Sequence, residues 1–210
     1  FKKKFIMAFY FGYGSNMSQV YLEKVRYVYP KKSIVGHIED YALKINLKGP
    51  NFVEPGFANI SYQKGSKVEG ILHEISDVEL KKIIASEGPE YEVFEIPVFT
   101  NKKRFLAKTL IWPTETLEEL PTSRRYLNLL IKAAKENKLS DEYIEEIKMK
   151  KTVYYPFLSE YYKIYAYFWV KSRARKVNKN NWKFIKNLYQ VKFFLLFLLV
   201  PVLIFALFLN

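Results

Sequence analysis

The chain has 210 residues, half of them hydrophobic, with 17 Tyr, 17 Phe and 3 Trp. This excludes a mainly disordered polypeptide and suits one domain of roughly 150–190 residues plus an appendage. There is no Cys, and His37 and His73 are the only histidines, which excludes disulfide frameworks, thiol catalysis, iron–sulfur clusters and any His-rich metal centre. The formal charge of +13 is gathered at one end: 171–192 holds eight basic residues and no acid, leaving 26 basic against 21 acidic residues elsewhere. The body is near neutral, so a basic nucleic-acid face is not indicated.

In chain order, Ala8–Gly14 (AFYFGYG) reads as a short strand ending in glycine turn chemistry. Ser18 is placed to cap a helix over roughly Gln19–Tyr27. Ser33–Ile38 and Tyr41–Leu47 read as two strands, followed by a loop over Leu47–Phe57. Ala58–Tyr62 and Lys67–Ile75 predict a strand pair turning at Lys64-Gly65-Ser66. Ser76-Asp77-Val78-Glu79 is a capping box that opens a helix to about Ser86. Tyr91–Thr100 and Phe105–Trp112 predict another hairpin, and helices follow over Ser123–Asn137 and from Ser140. Hairpins first and longer helices last predict an α+β fold, a mixed or antiparallel barrel-like sheet with flanking helices.

The remainder reads differently. Thr152–Val170 carries nine aromatic residues in 19, a run that suits either the edge of the core or a membrane interface. Phe193–Leu209 is 17 consecutive apolar residues, about 26 Å as a helix. Extended by Leu188–Val191 it reaches across a bilayer, and the basic flank sets the preceding domain on the cytoplasmic side. The expected organisation is a domain over 7–152, an aromatic connector over 153–170, a basic juxtamembrane stem over 171–192 and a transmembrane helix over 193–209. Two alternatives stay open at the ends. Met7 offers a natural start that would exclude Phe1–Ile6. The Phe-, Tyr-, Lys- and Asn-rich tail from about Tyr154 also matches translated A/T-rich sequence, in which case the anchor goes and the domain stays.

Gly12-Tyr13-Gly14-Ser15-Asn16 lies between strand and helix, where free main-chain N–H groups can receive an anionic or carbonyl oxygen. It matches no dinucleotide fingerprint, P-loop or nucleophile elbow; by itself it is a tight turn. Glu87-Gly88 ends the capped helix. A carboxylate there opposes the helix dipole, so a compensating group or a function should accompany it. His73 and His37 fall on strand faces, and the sequons at Asn16 and Asn59 read as chance.

Taken in order, YFGYGSNM, GFANI, VEGILHEIS, ASEG and PTSRRYLNLLIKAAKENKLSDEYIEEI resemble the γ-glutamylcyclotransferase family, in its γ-glutamyl-amino-acid branch, over about Ala8–Lys150. The resemblance implies a lyase- or acyltransferase-type reaction in which the α-amine of a γ-glutamyl amino acid or amine attacks its own γ-carbonyl. The products are 5-oxoproline and the free amino acid. It implies Glu87 as the proton-shuttling catalytic residue, with Tyr13, Gly14, Ser15, Asn16, Tyr91 and Tyr126 binding the substrate, and neither cofactor nor metal. The partners expected are a small γ-glutamyl molecule and a membrane, not nucleic acid, with homodimerisation left open. Two departures bear on this. The stretch between Gly88 and Tyr91 is short, and Leu110 stands where the family usually has a tyrosine. A non-catalytic binding module of the same fold, tethered to a membrane, is therefore the competing reading. Anionic lipid suits the 171–192 cluster better than nucleic acid does.

Overall fold

The structure is a computed structural model that describes residues 7–49, 53–87, 90–101, 103–114 and 116–176. Its first strand, β1 (Met7–Gly12), pairs antiparallel with β3 (Gly56–Ser76), and β3 pairs along most of its length with β2 (Lys32–Lys48). β4 (Glu92–Phe99) and β5 (Arg104–Ile111) form the predicted hairpin. The order β1-β3-β2-β4-β5 closes into a barrel, with β1 and β5 parallel. The α+β, barrel-like expectation is met.

Two pairs of predicted strands merge. The strands read at Ser33–Ile38 and Tyr41–Leu47 are two halves of β2, and those read around Lys64-Gly65-Ser66 are two halves of β3. The predicted turn is a bulge: Glu39 pairs with Lys67 and Tyr41 already with Tyr62. Asp40 (φ 61) and Gly65 (φ 81) both take left-handed backbone, and the Asp40 carboxylate accepts from the Gly65 N–H at 2.8 Å. This kinks both strands together, so the ribbon bends and continues where the composition signalled a reversal.

Strand alternation sorts the side chains. Phe11 points into the barrel with Ile38, Leu43, Ile45, Ile60, Val68, Ile71 and Val98, while its neighbour Tyr10 joins Leu22, Ile75, Leu80, Ile83 and Leu110 in a second cluster. That second cluster packs α2 (Asp77–Ser86), whose capping box at Ser76 and Glu79 is formed as predicted. α3 (Arg124–Glu136) and α4 (Asp141–Lys148), capped by Ser123 and Ser140, contribute Leu127, Leu130, Ala134, Ile144 and Ile147 to the first cluster. The helix after β1 is α1 (Gln19–Tyr21), capped by Ser18 and widened into a π-helical stretch over Leu22–Arg26.

β6 (Thr122–Ser123) and β7 (Thr152–Val153) form a small parallel pair before α5 (Leu158–Lys176). The aromatic segment is therefore largely helical, and α5 runs through the expected boundary between connector and stem. No helix among the described residues is long and apolar enough to cross a membrane. The rest of the stem and the apolar run 193–209 lie outside the described residues, as does Gly88.

Topology gathers the expected site at one end of the barrel. β1 and β5 finish there because they are parallel, and β4 starts there because it is antiparallel to β5. α2 begins beside Ser76, opposite Met7, and runs back toward the same end. The turn after β1, the end of β5, the start of β4 and the C-terminus of α2 thus converge.

Candidate active site

The Tyr13–Asn16 turn leaves β1 through Gly12, where a Cβ would stand 3.0 Å from the main-chain oxygen of Asn16; only glycine allows that approach without a shift. The first N–H bonded within the turn is that of Met17, to Gly14 O at 3.0 Å, so the donors ahead of it lie outside its internal pattern. Two side chains hold the turn from behind. Asn137 donates to Met17 O at 3.0 Å, and the fully buried His73 meets Asn16 O through Nε2 at 3.0 Å and Ser33 Oγ through Nδ1 at 2.8 Å. Burial lowers the His73 pKa to about 4. The ring is neutral near pH 7, with its proton on Nε2 for the carbonyl and Nδ1 accepting from the serine.

Glu87 terminates α2, and the compensating group its position called for is Arg26. The Arg26 side chain is 2% exposed and its Nη2 meets Glu87 Oε1 at 2.5 Å; its Nη1 contacts the Ser86 hydroxyl. Asn16 Nδ2 donates to the same Oε1 at 2.9 Å and to Tyr10 OH at 2.8 Å. Both bonds fall on Oε1, while Oε2 bonds no described residue, and the Glu87 side chain keeps 19% exposure. Burial works against the charge on Arg26, but Glu87 and the nearby phenols of Tyr21 and Tyr10 outweigh it and hold its pKa above the ordinary value. The Arg26 guanidinium also lies over the Tyr21 ring, 5.3 Å from its centroid. Arg26 escaped the sequence reading because it stands in a helix beside Lys24, where a cation normally faces water. The one available signal was the electrostatic deficit at Glu87.

The tyrosines line the same region. Tyr126 OH accepts from the Ala58 N–H at 3.4 Å, and Tyr91 OH donates to Ala58 O at 2.5 Å, so one residue of β3 ties the two together. A Cβ on Gly14 would lie 3.4 Å from Tyr126 OH, which places the turn against that phenol. Tyr126 is set by the α3 cap: Ser123 Oγ accepts from the Tyr126 N–H at 3.0 Å and donates to the buried Glu54, which also pairs with Arg125. Glu54 lies in the Leu47–Phe57 segment, read from sequence only as a loop. Tyr13 OH turns the other way and donates to Leu110 O at 2.5 Å. Ser15 is half-buried in the turn, its carbonyl accepting from the Ser18 N–H. Loss of solvation, and after it the charge of Glu87 at Tyr10 and Tyr126 or neighbouring phenols at Tyr13 and Tyr91, raises all four pKa values. The hydroxyls therefore stay protonated at neutral pH.

The expected residues are thus brought to one end of the barrel. Asn16 touches Glu87, Gly14 abuts Tyr126, and Tyr91 and Tyr126 share Ala58. Leu110 is buried in the second cluster beside Tyr91, and its main-chain oxygen, not its side chain, serves the site. The arrangement can hold one carboxylate by one oxygen and present the other to a ligand beside a turn rich in main-chain donors.

Residues 67–147 match the AIG2-like family, a span that includes Glu87, Tyr91 and Tyr126 and starts after the Tyr13–Asn16 turn. A mouse γ-glutamylcyclotransferase is 28% identical over 147 residues, covering 66% of this chain and 76% of that protein. Among solved structures, one described as a γ-glutamyl cyclotransferase superposes with a TM-score of 0.63 at 23% identity, covering 72% of this chain and 92% of the other. A human protein superposes equally well at 23% identity, over 76% of this chain and 98% of its own. By the family match and the mouse relative the chain is similar to AIG2-like and γ-glutamylcyclotransferase proteins, and the two structures show the same fold.

Proposed function

We propose that the chain is a γ-glutamylcyclotransferase acting on γ-glutamyl amino acids or amines. The observation that carries this reading is the Glu87 carboxylate, fixed at Oε1 by Arg26 and Asn16 with Oε2 left over for a substrate proton. The substrate supplies its own nucleophile. Its α-ammonium first loses a proton to solvent, the neutral amine attacks the γ-carbonyl carbon, and a five-membered ring closes to a tetrahedral intermediate whose ring nitrogen gives its surplus proton to Glu87. Glu87 returns the proton to the departing nitrogen as the γ-carbonyl C–N bond breaks, giving 5-oxoproline and the free amine. The protein's tasks are to curl the substrate until nitrogen and carbonyl carbon lie about 3–3.5 Å apart, to move one proton and to receive the developing oxyanion.

The Tyr13–Asn16 main chain suits the oxyanion, where one preorganised donor contributes about 3 kcal/mol. Tyr91 and Tyr126, protonated and linked through Ala58, stand beside that turn. Leu110 keeps its side chain in the second cluster and supplies no hydroxyl to a leaving group. The membrane reading joins this as a second part of the proposal: the run 193–209 spans a bilayer and the domain faces the cytoplasm, which retention in the pellet after alkaline carbonate extraction would support.

The test of the chemistry is 5-oxoproline release from γ-glutamyl-alanine. Glu87→Gln should lower turnover by about 10²–10⁴-fold, the usual contribution of a general acid–base group. Equal rates in the two proteins would reject the mechanism, and 5-oxoproline binding without turnover in the wild type would favour the binding module.

A further inference from the structure

α5 is held to the domain along one side. Val170 and Ala174 are buried, Arg173 Nε donates to Ala85 O at 2.9 Å and Arg175 Nε to Tyr27 OH at 2.6 Å. The opposite side carries Tyr161, Ile164 and Phe168, spaced by three and four residues and exposed by 46%, 60% and 62%. Phe157 and Leu158, also exposed, extend this row toward the start of the helix. A helix on a water-facing surface normally puts polar residues there, so the row is apolar surface awaiting a partner.

The chemistry around the row identifies that partner. Past Phe168, 171–192 holds eight basic residues and no acid before the apolar run 193–209; Lys171 and Arg175 lie against the Tyr27 ring, and Arg173 bonds Ala85. Glu160, the acid beside the row, is paired with Lys163 at 3.5 Å. An occupant must therefore offer a thin apolar layer next to a negatively charged one, along a segment rich in Tyr and Phe. The headgroup boundary of an anionic bilayer has that profile.

We propose that the Tyr161–Ile164–Phe168 face of α5 lies in the surface of an anionic phospholipid bilayer, with the basic residues of 176–192 among the phosphates. This goes beyond a tether by residues 193–209, because it fixes an orientation. α5 bonds Ala85 and Tyr27, next to Glu87 and Arg26, so the site end of the barrel would be held near the membrane plane. It does not depend on the chemistry assigned to Glu87.

The absence of Cys makes the test direct. In the full chain, Ile164→Cys or Phe168→Cys is labelled with an environment-sensitive fluorophore, and Tyr62→Cys on β3 serves as the exposed control. With phosphatidylserine–phosphatidylcholine vesicles, the labels at 164 and 168 should shift to the blue and brighten several-fold, and the label at 62 should not. Sedimentation with vesicles without that shift would overturn the proposal, because other residues would then account for binding. Failure to bind vesicles would overturn it too, as would an equal response on phosphatidylcholine alone. A shift that needs no vesicles and grows with protein concentration would assign the face to a second copy of the chain.

Discussion

Arg26 and Glu87 form a pair in which one partner is fully enclosed and the other keeps a little water. Removing the cation leaves a carboxylate at the wrong end of a helix dipole with a bond from Asn16 alone. Arg26→Met should therefore cost about 3 kcal/mol, the low end for breaking a buried ion pair because Glu87 is partly hydrated; denaturant unfolding measures it. Arg26→Lys keeps the charge but cannot reach Ser86 and Glu87 together, so it should recover only part of the loss. His73 makes a second prediction, through pH. Its folded-state pKa of about 4 lies below the ordinary histidine value, so the folded state favours the neutral ring. That contribution is fully present above about pH 6.5 and is lost as pH falls toward 4, on the order of 3 kcal/mol in total. His73→Gln should flatten the stability profile between these limits. A profile as steep as that of the wild type would mean that another group carries the dependence.

At the scale of elements, the Asp40–Gly65 bulge converts four apparent strands, two of them read as a hairpin, into one bent ribbon. A Cβ on Gly65 would meet nothing within 4 Å, so Gly65→Ala isolates the backbone cost of left-handed φ, about 1 kcal/mol. A loss well above that by thermal or chemical unfolding would show that the bulge itself gives way. This is also where sequence reasoning met its limit. The capping box at Ser76, the β4–β5 hairpin and the helices from Ser123 and Ser140 were legible because their signals are local: a hydroxyl three residues ahead of an acid, alternation, apolar spacing. Lys-Gly-Ser between strands has the same composition whether the chain reverses or bulges, and only the partner strand decides. The site divides likewise. Glu87, Asn16, Tyr91 and Tyr126 could be named from motifs, whereas Arg26, Glu54 and the carbonyl of Leu110 act through contacts with residues 61, 69 and 97 positions away.

For the whole molecule, the barrel consists of two sheets, β1-β3-β2 and β4-β5, joined along narrow seams. β2 meets β4 at His37 and Phe99, and β1 meets β5 at Tyr10 and Lys108. The second seam is reinforced by side chains: Thr109 Oγ1 donates to Phe11 O at 2.9 Å and Tyr13 OH to Leu110 O. Thr109→Val keeps the shape and leaves a buried carbonyl without that donor, so it should cost about 1–3 kcal/mol. Hydrogen exchange should then rise first in β5. If protection fell evenly across all five strands, the seam would not be a separate point of weakness.

That seam also dictates a chronology. The β2–β3 ribbon joins near neighbours in the chain, whereas β1 and β5 must find each other across nearly a hundred residues, the slower closure. Glu87 meets Asn16 across 71 residues. A polypeptide diluted out of urea should thus regain its ellipticity and much of its buried tyrosine signal first, and the turnover of a γ-glutamyl substrate that we propose for it should be the last property to return.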